Sequence, residues 1–412
     1  MSLKITNATL PDRKGNWNVA IANGYITKIS VESISEQTDE VLDAGGNLLI
    51  PGLVDPHIHL DKALLLDRYP AVAGTFSEAL QKTLQAKQEY TVADIQARAS
   101  QIIEKAIAFG TTAMRVHVEV DPILQLKSVE ALLPLKEEYA WGITLQLAVF
   151  AQEGIINQPG TLDLLNKAMA MGGDVIGSAP YVDSDPKENI RSVYAIAREF
   201  DCDVDFHLDF LDDDAPLLLP IVIAETLEHN WHNRVCLGHM TKLAGLTPTE
   251  LTTFIPRLKE AGIAILALPA TDLYMMARQD THNVRRGIAP IDRLAESGIK
   301  VGLATNNVQN LFTPFGDGDV LKICTLLAQV LQLGTTASHQ LCLEMATTKA
   351  AQAIGIENYG IEVGKVADLV LLEAHSVSQA IAPAPGSRTT IKRGKIVAQA
   401  KSTINFCSNP KS

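Results

Sequence analysis

Between residues 48 and 307 the sequence alternates short apolar segments with longer segments of helical period. The apolar segments are LLIPGLV, TAMRVHVEV, ITLQLAVF, DVIGSAPYV, CDVDFHLDF, RVCLGHMT, AILALPA and IKVGLATNN. Continuous apolar strands that alternate with helices are typical of a parallel sheet covered on both faces. Eight such units over about 260 residues match the usual size of a (β/α)8 barrel. We therefore predict an α/β fold built on a (β/α)8 TIM barrel.

Local signals delimit some of the helices. The segment TVADIQARASQIIEKAIAFG is predicted as a helix with Thr91 as its N-cap and Gly110 as its C-terminal stop. A helix in IAPIDRLAESG is expected to stop at Gly298. Two more helices, at roughly 317–333 and 336–353, are predicted after the eighth strand.

Both ends of the chain have a strand-like pattern. The Asn-Gly pair in IANGYI indicates a hairpin, because alternating apolar residues flank it on both sides. The tail contains the strand-like segments KVADLVLLEA and RTTIKRGKIVAQA. We expect residues 1–50 and 356–412 to pair in a small β-sandwich, with the barrel formed by residues 51–355.

The formal net charge of −12 and the pI near 5.3 argue against nucleic acid and anionic membranes as partners. No apolar run reaches the roughly 18–20 residues that a membrane span needs, and the N-terminus lacks the apolar core of a signal peptide. Five scattered cysteines without a CxxC motif indicate free thiols in a reducing compartment. We therefore expect a cytoplasmic protein without a thiolate zinc site, and its assembly into a homo-oligomer stays open.

The segment VDPHIHLDK follows the first apolar run and contains two histidines one residue apart. In an extended chain His57, His59 and Asp61 point to the same face. Two imidazoles about 6–7 Å apart along a strand can converge on one ion. The alternative is a pair of solvated or hydrogen-bonded histidines, since so short a motif often occurs by chance.

In (β/α)8 barrels the chemistry lies at the C-terminal ends of the strands. The polar residues at or near these ends are His57, His59, His117, Gln152, Glu153, His207, His239, Asn306 and Asn307. A cluster of histidines on one rim favours a metal site, and imidazole is a common ligand of zinc and iron. We predict one divalent metal ion, zinc or iron, bound by His57, His59 and His207. A second ion is not expected, because the fourth strand offers no lysine that could be modified to bridge two ions.

Several other side chains are candidates for catalysis or substrate binding. A metal ion would lower the pKa of bound water toward neutrality. His239 would then polarise a carbonyl or stabilise developing charge, unless it is a core histidine. Gln152 suits the edge of an amide-like or heterocyclic substrate, unless it caps a loop. His117 is a candidate for supporting the metal ligands from a deeper position. Phe312 either stacks on a planar substrate or packs its own loop.

The motifs PGLVDPHIHLDK, RVHVEV, LQLAVFAQEG, VDFHLDFLDD and GHMT, with the tail GIENYGIEVGKVADLVLL and IKRGKIV, span nearly the whole chain. In these motifs the sequence resembles the cytosine deaminase branch of the metal-dependent amidohydrolase superfamily. The segment PFGDGD resembles the N-isopropylammelide amidohydrolases of that branch. The resemblance implies a hydrolase that cleaves a C–N bond of a small nitrogen heterocycle. It also implies His57, His59 and His207 as metal ligands, Gln152 as a substrate contact and His239 as a catalytic histidine.

The sequence departs from the family pattern at two positions. Asn306 stands where the family has an aspartate that binds the metal and accepts a proton from water, and an amide is not a base near pH 7. Phe210 stands where cytosine deaminases have a glutamate, so cytosine itself is not the expected substrate. We assign Asn306 to the metal and catalytic residues. Phe210, Asn307 and Phe312 join Gln152 as expected substrate contacts.

Three interpretations of these departures stay open. The favoured one is an active hydrolase in which Asp61, Asp209 or another carboxylate replaces the missing base. The second is a catalytically impaired relative that binds or senses a small heterocycle. The third is a deliberate change at Asn306 that traps a substrate.

Overall fold

The computed structural model describes residues 2–35, 38–210, 213–285 and 287–406. Its strands are β1 Ser2–Leu10, β2 Arg13–Ala22, β3 Tyr25–Ser30, β4 Glu40–Asp43, β5 Leu48–Pro51, β6 Leu53–Ile58, β7 Thr111–Glu119, β8 Thr144–Ala151, β9 Val175–Ser178, β10 Asp203–Leu208, β11 Val235–His239, β12 Ala264–Ala267, β13 Lys300–Leu303, β14 Leu369–Leu372, β15 Arg388–Lys392 and β16 Lys395–Ala400. Its α-helices are α1 Phe76–Glu89, α2 Val92–Ala108, α3 Lys127–Glu138, α4 Thr161–Ala170, α5 Pro186–Phe200, α6 Leu219–Glu228, α7 Pro248–Ala261, α8 Pro269–Met275, α9 Ile291–Glu296, α10 Val320–Val330, α11 Thr336–Met345, α12 Thr348–Ala353 and α13 Val377–Ile381. Two short 3₁₀ helices cover Pro180–Val182 and Thr241–Gly245.

Strands β6 to β13 form the barrel. Each strand pairs in parallel with the next one along the chain, and helices connect them. A parallel bridge between Ile58 and Asn306 joins the last segment of the barrel to the first, and the amide of His59 donates to Asn306 O at 2.8 Å. The predicted TIM barrel is confirmed, and its closing contact lies at the histidine motif.

Strands from both ends of the chain form a separate sheet, as expected. Its order is β16-β15-β14-β5-β1-β2-β3, with β4 paired to β1. The sheet has its own apolar core, which includes Ile5, Val19, Leu49, Leu369 and Ile391. The boundaries that we proposed between this part and the barrel stay a prediction.

The apolar run LLIPGLV, predicted as one strand, is divided between the two sheets. Strand β5 pairs with β14, whereas β6 begins after Gly52 and pairs with β7. A Cβ at Gly52 would come within 2.1 Å of Thr112 Oγ1, so a larger residue does not fit at this crossing. The one-strand prediction was wrong, because periodicity does not reveal which partner each half of an apolar run takes.

The helix signals had mixed outcomes. Helix α2 begins after Thr91, whose side chain accepts from the amide of Asp94 at 3.1 Å, and Gly110 follows it with a φ of 94°. The helix predicted at 336–353 is instead divided into α11 and α12, with a break at Thr347. Within the described ranges, none of the helices is long and apolar enough to cross a membrane.

Candidate metal centre and active-site cavity

Three histidines meet at the C-terminal end of the barrel. His57 lies near the end of β6, His59 follows that strand, and His207 lies in β10. The Nε2 atom of His207 is 3.1 Å from the Nε2 atoms of both His57 and His59. Burial lowers the pKa of all three imidazoles well below the usual value, and neighbouring histidines lower it further. Three neutral imidazole nitrogens that face one another are a donor set suited to a divalent metal ion.

Asn306 lines the same cavity as His59 and His207. Its backbone φ of 64° lies in the left-handed region that asparagine tolerates better than most residues. Its Oδ1 atom is buried and has no hydrogen-bond partner in the described part of the chain. A buried acceptor without a partner costs about 1–3 kcal/mol. The amide oxygen could therefore contact a metal ion that the histidines also bind.

A second layer of polar residues lies behind His57. The ring of His117 stacks on His57 with centroids 3.6 Å apart. Its Nε2 atom is 3.2 Å from Asp205 Oδ1, and Asp205 Oδ2 accepts from Arg115 Nη1 at 2.9 Å. Asp205 Oδ1 is also 4.0 Å from His57 Nδ1. His57, His117 and Asp205 thus form a second group of side chains that could hold a metal ion. His57 belongs to both groups.

His239 ends β11 and lines the cavity. Its Nδ1 donates to Asp272 Oδ1 at 2.7 Å, and Asp272 Oδ2 accepts from the amide of Leu268 at 3.1 Å. Burial raises the pKa of Asp272, while the neighbouring His239 acts in the opposite direction. Because Nδ1 is engaged by the carboxylate, Nε2 is the ring nitrogen that is left to accept or donate a proton.

A small cavity adjoins the three histidines. It is lined by His59, Lys62, Phe76, Gln152, Tyr181, His207, Phe210, His239, Thr271, Asn306, Asn307 and Phe312. The centroid of the Phe210 ring is 4.2 Å from that of His239, and the Phe76 ring lies 6.0 Å from Phe312. No carboxylate is among these lining residues, all of which belong to the described chain. Aromatic rings form much of the cavity wall.

Lys62 contributes a buried ammonium to the cavity wall. Its Nζ atom donates to Glu119 Oε1 at 2.8 Å and to Gln152 Oε1 at 3.3 Å. It also lies 5.0 Å from the centroid of the Phe312 ring. Because an ammonium only donates, the Gln152 oxygen faces the lysine, and the Gln152 amide nitrogen can donate elsewhere, including to the Tyr181 hydroxyl.

The structure brings the predicted site residues together. His57, His59, Gln152, His207, Phe210, His239, Asn306, Asn307 and Phe312 all line the cavity or contact a residue that does. Asn307 differs from the others, because its polar atoms are already partnered. Its Oδ1 accepts from Asn310 Nδ2 at 2.7 Å, and its Nδ2 donates to Thr271 Oγ1 at 3.4 Å.

Asp61 and Asp209, considered above as replacements for the missing base, do not line the cavity. Asp61 Oδ2 accepts from the amide of Glu119 at 2.9 Å. Asp209 accepts from the amides of Leu218 and Leu219, where an acidic side chain stabilises the start of α6. Asp209 is therefore held by two backbone amides and Asp61 by one, and which carboxylate, if either, replaces the missing base stays a prediction.

Sequence reasoning missed several residues that shape the site. Asp272 lies two residues beyond the apolar run AILALPA, so extending the strand-end rule to the seventh strand could have found it. Lys62 lies within the histidine motif itself but was not assigned a role. Phe76 lies at the start of α1, far from any strand end, and no local signal marks it.

The model of the amidohydrolase family matches residues 48–397 of the chain. The chain belongs to this family. The matched region includes the whole barrel and strands β14 and β15, so the site described above lies within it.

Similar proteins extend over nearly the whole length of this amidohydrolase. It is 30% identical to the N-isopropylammelide isopropyl amidohydrolase of Pseudomonas sp. (strain ADP), over 96% of both chains. It is 26% identical to the pterin deaminase of Rhizobium rhizogenes, over 96% of this chain and 91% of the relative. The structure of 5-methylcytosine deaminase from Klebsiella pneumoniae liganded with 5-fluorocytosine matches with a TM-score of 0.92 and 28% identity, over 99% of this chain and 100% of the other. These matches confirm the resemblance noted from the sequence.

Proposed function

We propose that this amidohydrolase is a metal-dependent hydrolase that cleaves a C–N bond of a small nitrogen heterocycle and releases ammonia or an amine. The observation that carries the proposal is the convergence of three neutral imidazole nitrogens beside a cavity lined by aromatic and polar side chains. The names of the relatives, two deaminases and an amidohydrolase of heterocycles, support the same reaction class.

The residues at this site fit one divalent ion, zinc or iron. His57, His59 and His207 would hold the ion through Nε2, and Asn306 would contribute its unpartnered Oδ1. When bound, such an ion supplies the acidity that makes water a nucleophile near neutral pH. Because none of these ligands is anionic, we expect weaker metal retention than in a site that includes a carboxylate.

His239 takes the role of the catalytic acid and base in this proposal. Asp272 orients the imidazole and stabilises its protonated form, as a carboxylate does in other catalytic histidine pairs. The Nε2 atom can then accept a proton from the attacking water and give it to the leaving nitrogen. The pair would thus take over the proton transfer that an aspartate performs in the family, at the position where this chain has Asn306.

The cavity favours planar substrates that carry hydrogen-bond acceptors. Lys62 and the N–H groups of Gln152 donate, and Phe76, Phe210 and Phe312 surround the space with ring faces and edges. A carbonyl oxygen or an unprotonated ring nitrogen would bind opposite the donors. With Phe210 in place of a carboxylate, a substrate whose ring must be protonated during the reaction is disfavoured.

The lack of any carboxylate among the lining residues favours one alternative, a heterocycle-binding protein without turnover. In that case His239 and Asp272 would only shape the cavity. Metal retention alone does not separate the two functions, so turnover must be measured directly.

The test is an assay of the purified chain, loaded with zinc or ferrous iron, for ammonia or amine release. N-isopropylammelide, 5-methylcytosine, cytosine and pterin serve as probes, and a chelator-treated sample serves as the control. We expect release from at least one probe, with cytosine slower than N-isopropylammelide, and loss of release after chelation. Binding of a probe by the loaded protein without any release would overturn the hydrolase proposal in favour of the binding function.

A further inference from the structure

A second buried lysine, Lys87, lies outside the cavity in the last turn of α1. Its Nζ atom is 3.0 Å from Glu119 Oε2, 2.9 Å from Asp121 Oδ2 and 2.6 Å from Glu153 Oε1. Three carboxylates around one ammonium hold it in a fixed position. The proposed reaction does not use this lysine directly, yet burying an ion cluster of this size is costly unless its geometry is kept.

Glu119 is shared between the two buried lysines. Its Oε1 accepts from Lys62 at 2.8 Å, and its Oε2 is 3.0 Å from Lys87. Burial opposes the charged form of Glu119, but the two lysines lower its pKa to about 2. A rigid, planar carboxylate with one cation on each oxygen ties the position of one lysine to that of the other.

The same cluster fixes other parts of the cavity wall. Glu153 directly follows Gln152, whose amide oxygen accepts from Lys62 at 3.3 Å. Helix α1 carries the lining residue Phe76 at its start and Lys87 near its end. The position of α1 against the barrel and the orientation of Lys62 and Gln152 therefore depend on one set of buried charges.

We infer that Lys87 is a positioning residue for the cavity, which acts through Glu119 on Lys62 and Gln152 without touching the substrate. The inference rests on the proposed function, since Lys62 and Gln152 bind the heterocycle in that proposal. Without Lys87, Glu119 loses the partner that holds one of its oxygens, so Lys62 and the Gln152 amide shift. The effect falls on KM rather than kcat, because His239 and the metal-binding histidines lie outside the cluster.

A double-mutant cycle tests this coupling. Lys62→Met, Lys87→Met and the double variant are loaded with zinc and assayed with the best of the four probes. Lys87→Met is expected to raise KM about tenfold, and the double variant to be no worse than Lys62→Met alone, because contacting residues couple non-additively. Lys136→Met is the control for removing a helix lysine that is paired with a carboxylate. Lys136 also joins a helix to the barrel, through both oxygens of Asp174, but it has no contact with Lys62.

Additive effects of the two substitutions, or a change in thermal stability with KM unaltered, would overturn the inference. Lys87→Arg keeps the charge but displaces the donor, and it enters the same cycle if Lys87→Met does not fold. A crystal structure of the Lys87 variant gives a readout that needs no activity. If the wild type hydrolyses none of the probes, the proposed function fails. The inference is then tested by the crystal structure alone, in which displacement of Lys62 from Glu119 supports it. An unmoved Lys62 contradicts it.

Discussion

Replacing His239 by asparagine is expected to lower kcat by about 10²–10⁴-fold, the range typical of a lost general acid–base. Asparagine is smaller than histidine but keeps a polar amide at this position, and the amide does not titrate near neutral pH. KM and metal content should change little, because His239 is not among the three histidines whose Nε2 atoms converge. Steady-state kinetics of amine release and elemental analysis of the purified variant measure both quantities.

The partner Asp272 provides an internal check on this assignment. Asp272→Asn should lower kcat in the same direction, and the double variant should be no slower than His239→Asn alone, since residues that act as a unit are non-additive. His232→Asn is the control, because His232 bonds to Glu260 O at the surface and has no contact with the cavity. An unchanged kcat in His239→Asn would show that another group moves the proton.

Replacing His207 by alanine is expected to abolish metal retention and turnover together. His207 is the one histidine whose Nε2 lies 3.1 Å from both of the others, so its loss breaks the donor set at its centre. The loss of affinity should exceed the roughly 10–100-fold change that follows removal of a residue supporting a ligand. Metal titration of the chelated protein gives the affinity.

His117→Ala is the matched comparison for the metal site. His117 belongs to the second group of possible metal ligands, with His57 and Asp205, and its Nε2 atom faces Asp205. If the ion is held by His57, His59 and His207, this variant loses only about 10–100-fold in affinity through the weakened support of His57. Metal loss in His117→Ala with retention in His207→Ala would instead place the ion among His57, His117 and Asp205.

The barrel could be predicted because its determinants are local. Each strand is a short apolar run and each connection has helical period, so the eightfold alternation appears directly in the sequence. The division at Gly52 could not be predicted, since it depends on which sheet each half of an apolar run joins. The break between α11 and α12 was missed because no glycine or proline marks it in the sequence.

The metal-binding histidines could also be found from the sequence, because strand ends meet at one rim of a barrel. The choice of base could not be made that way. Asp61 and Asp209 are near the histidines in sequence, yet both accept from backbone amides and neither lines the cavity. Asp272 lies in α8 and reaches His239, at the end of β11, only in the folded chain. The cluster around Lys87 likewise joins residues of α1, β7 and the segment after β8 that have no common local pattern.

We propose that hydrolysis proceeds with an amide at position 306, and a comparison of the wild type with Asn306→Asp tests this proposal. Both proteins are analysed for bound metal and assayed for ammonia or amine release from the same four probes. We expect that the wild type holds about one ion per chain and turns over at least one probe, with His239 as its proton carrier. Metal binding and turnover confined to the Asn306→Asp variant would contradict it.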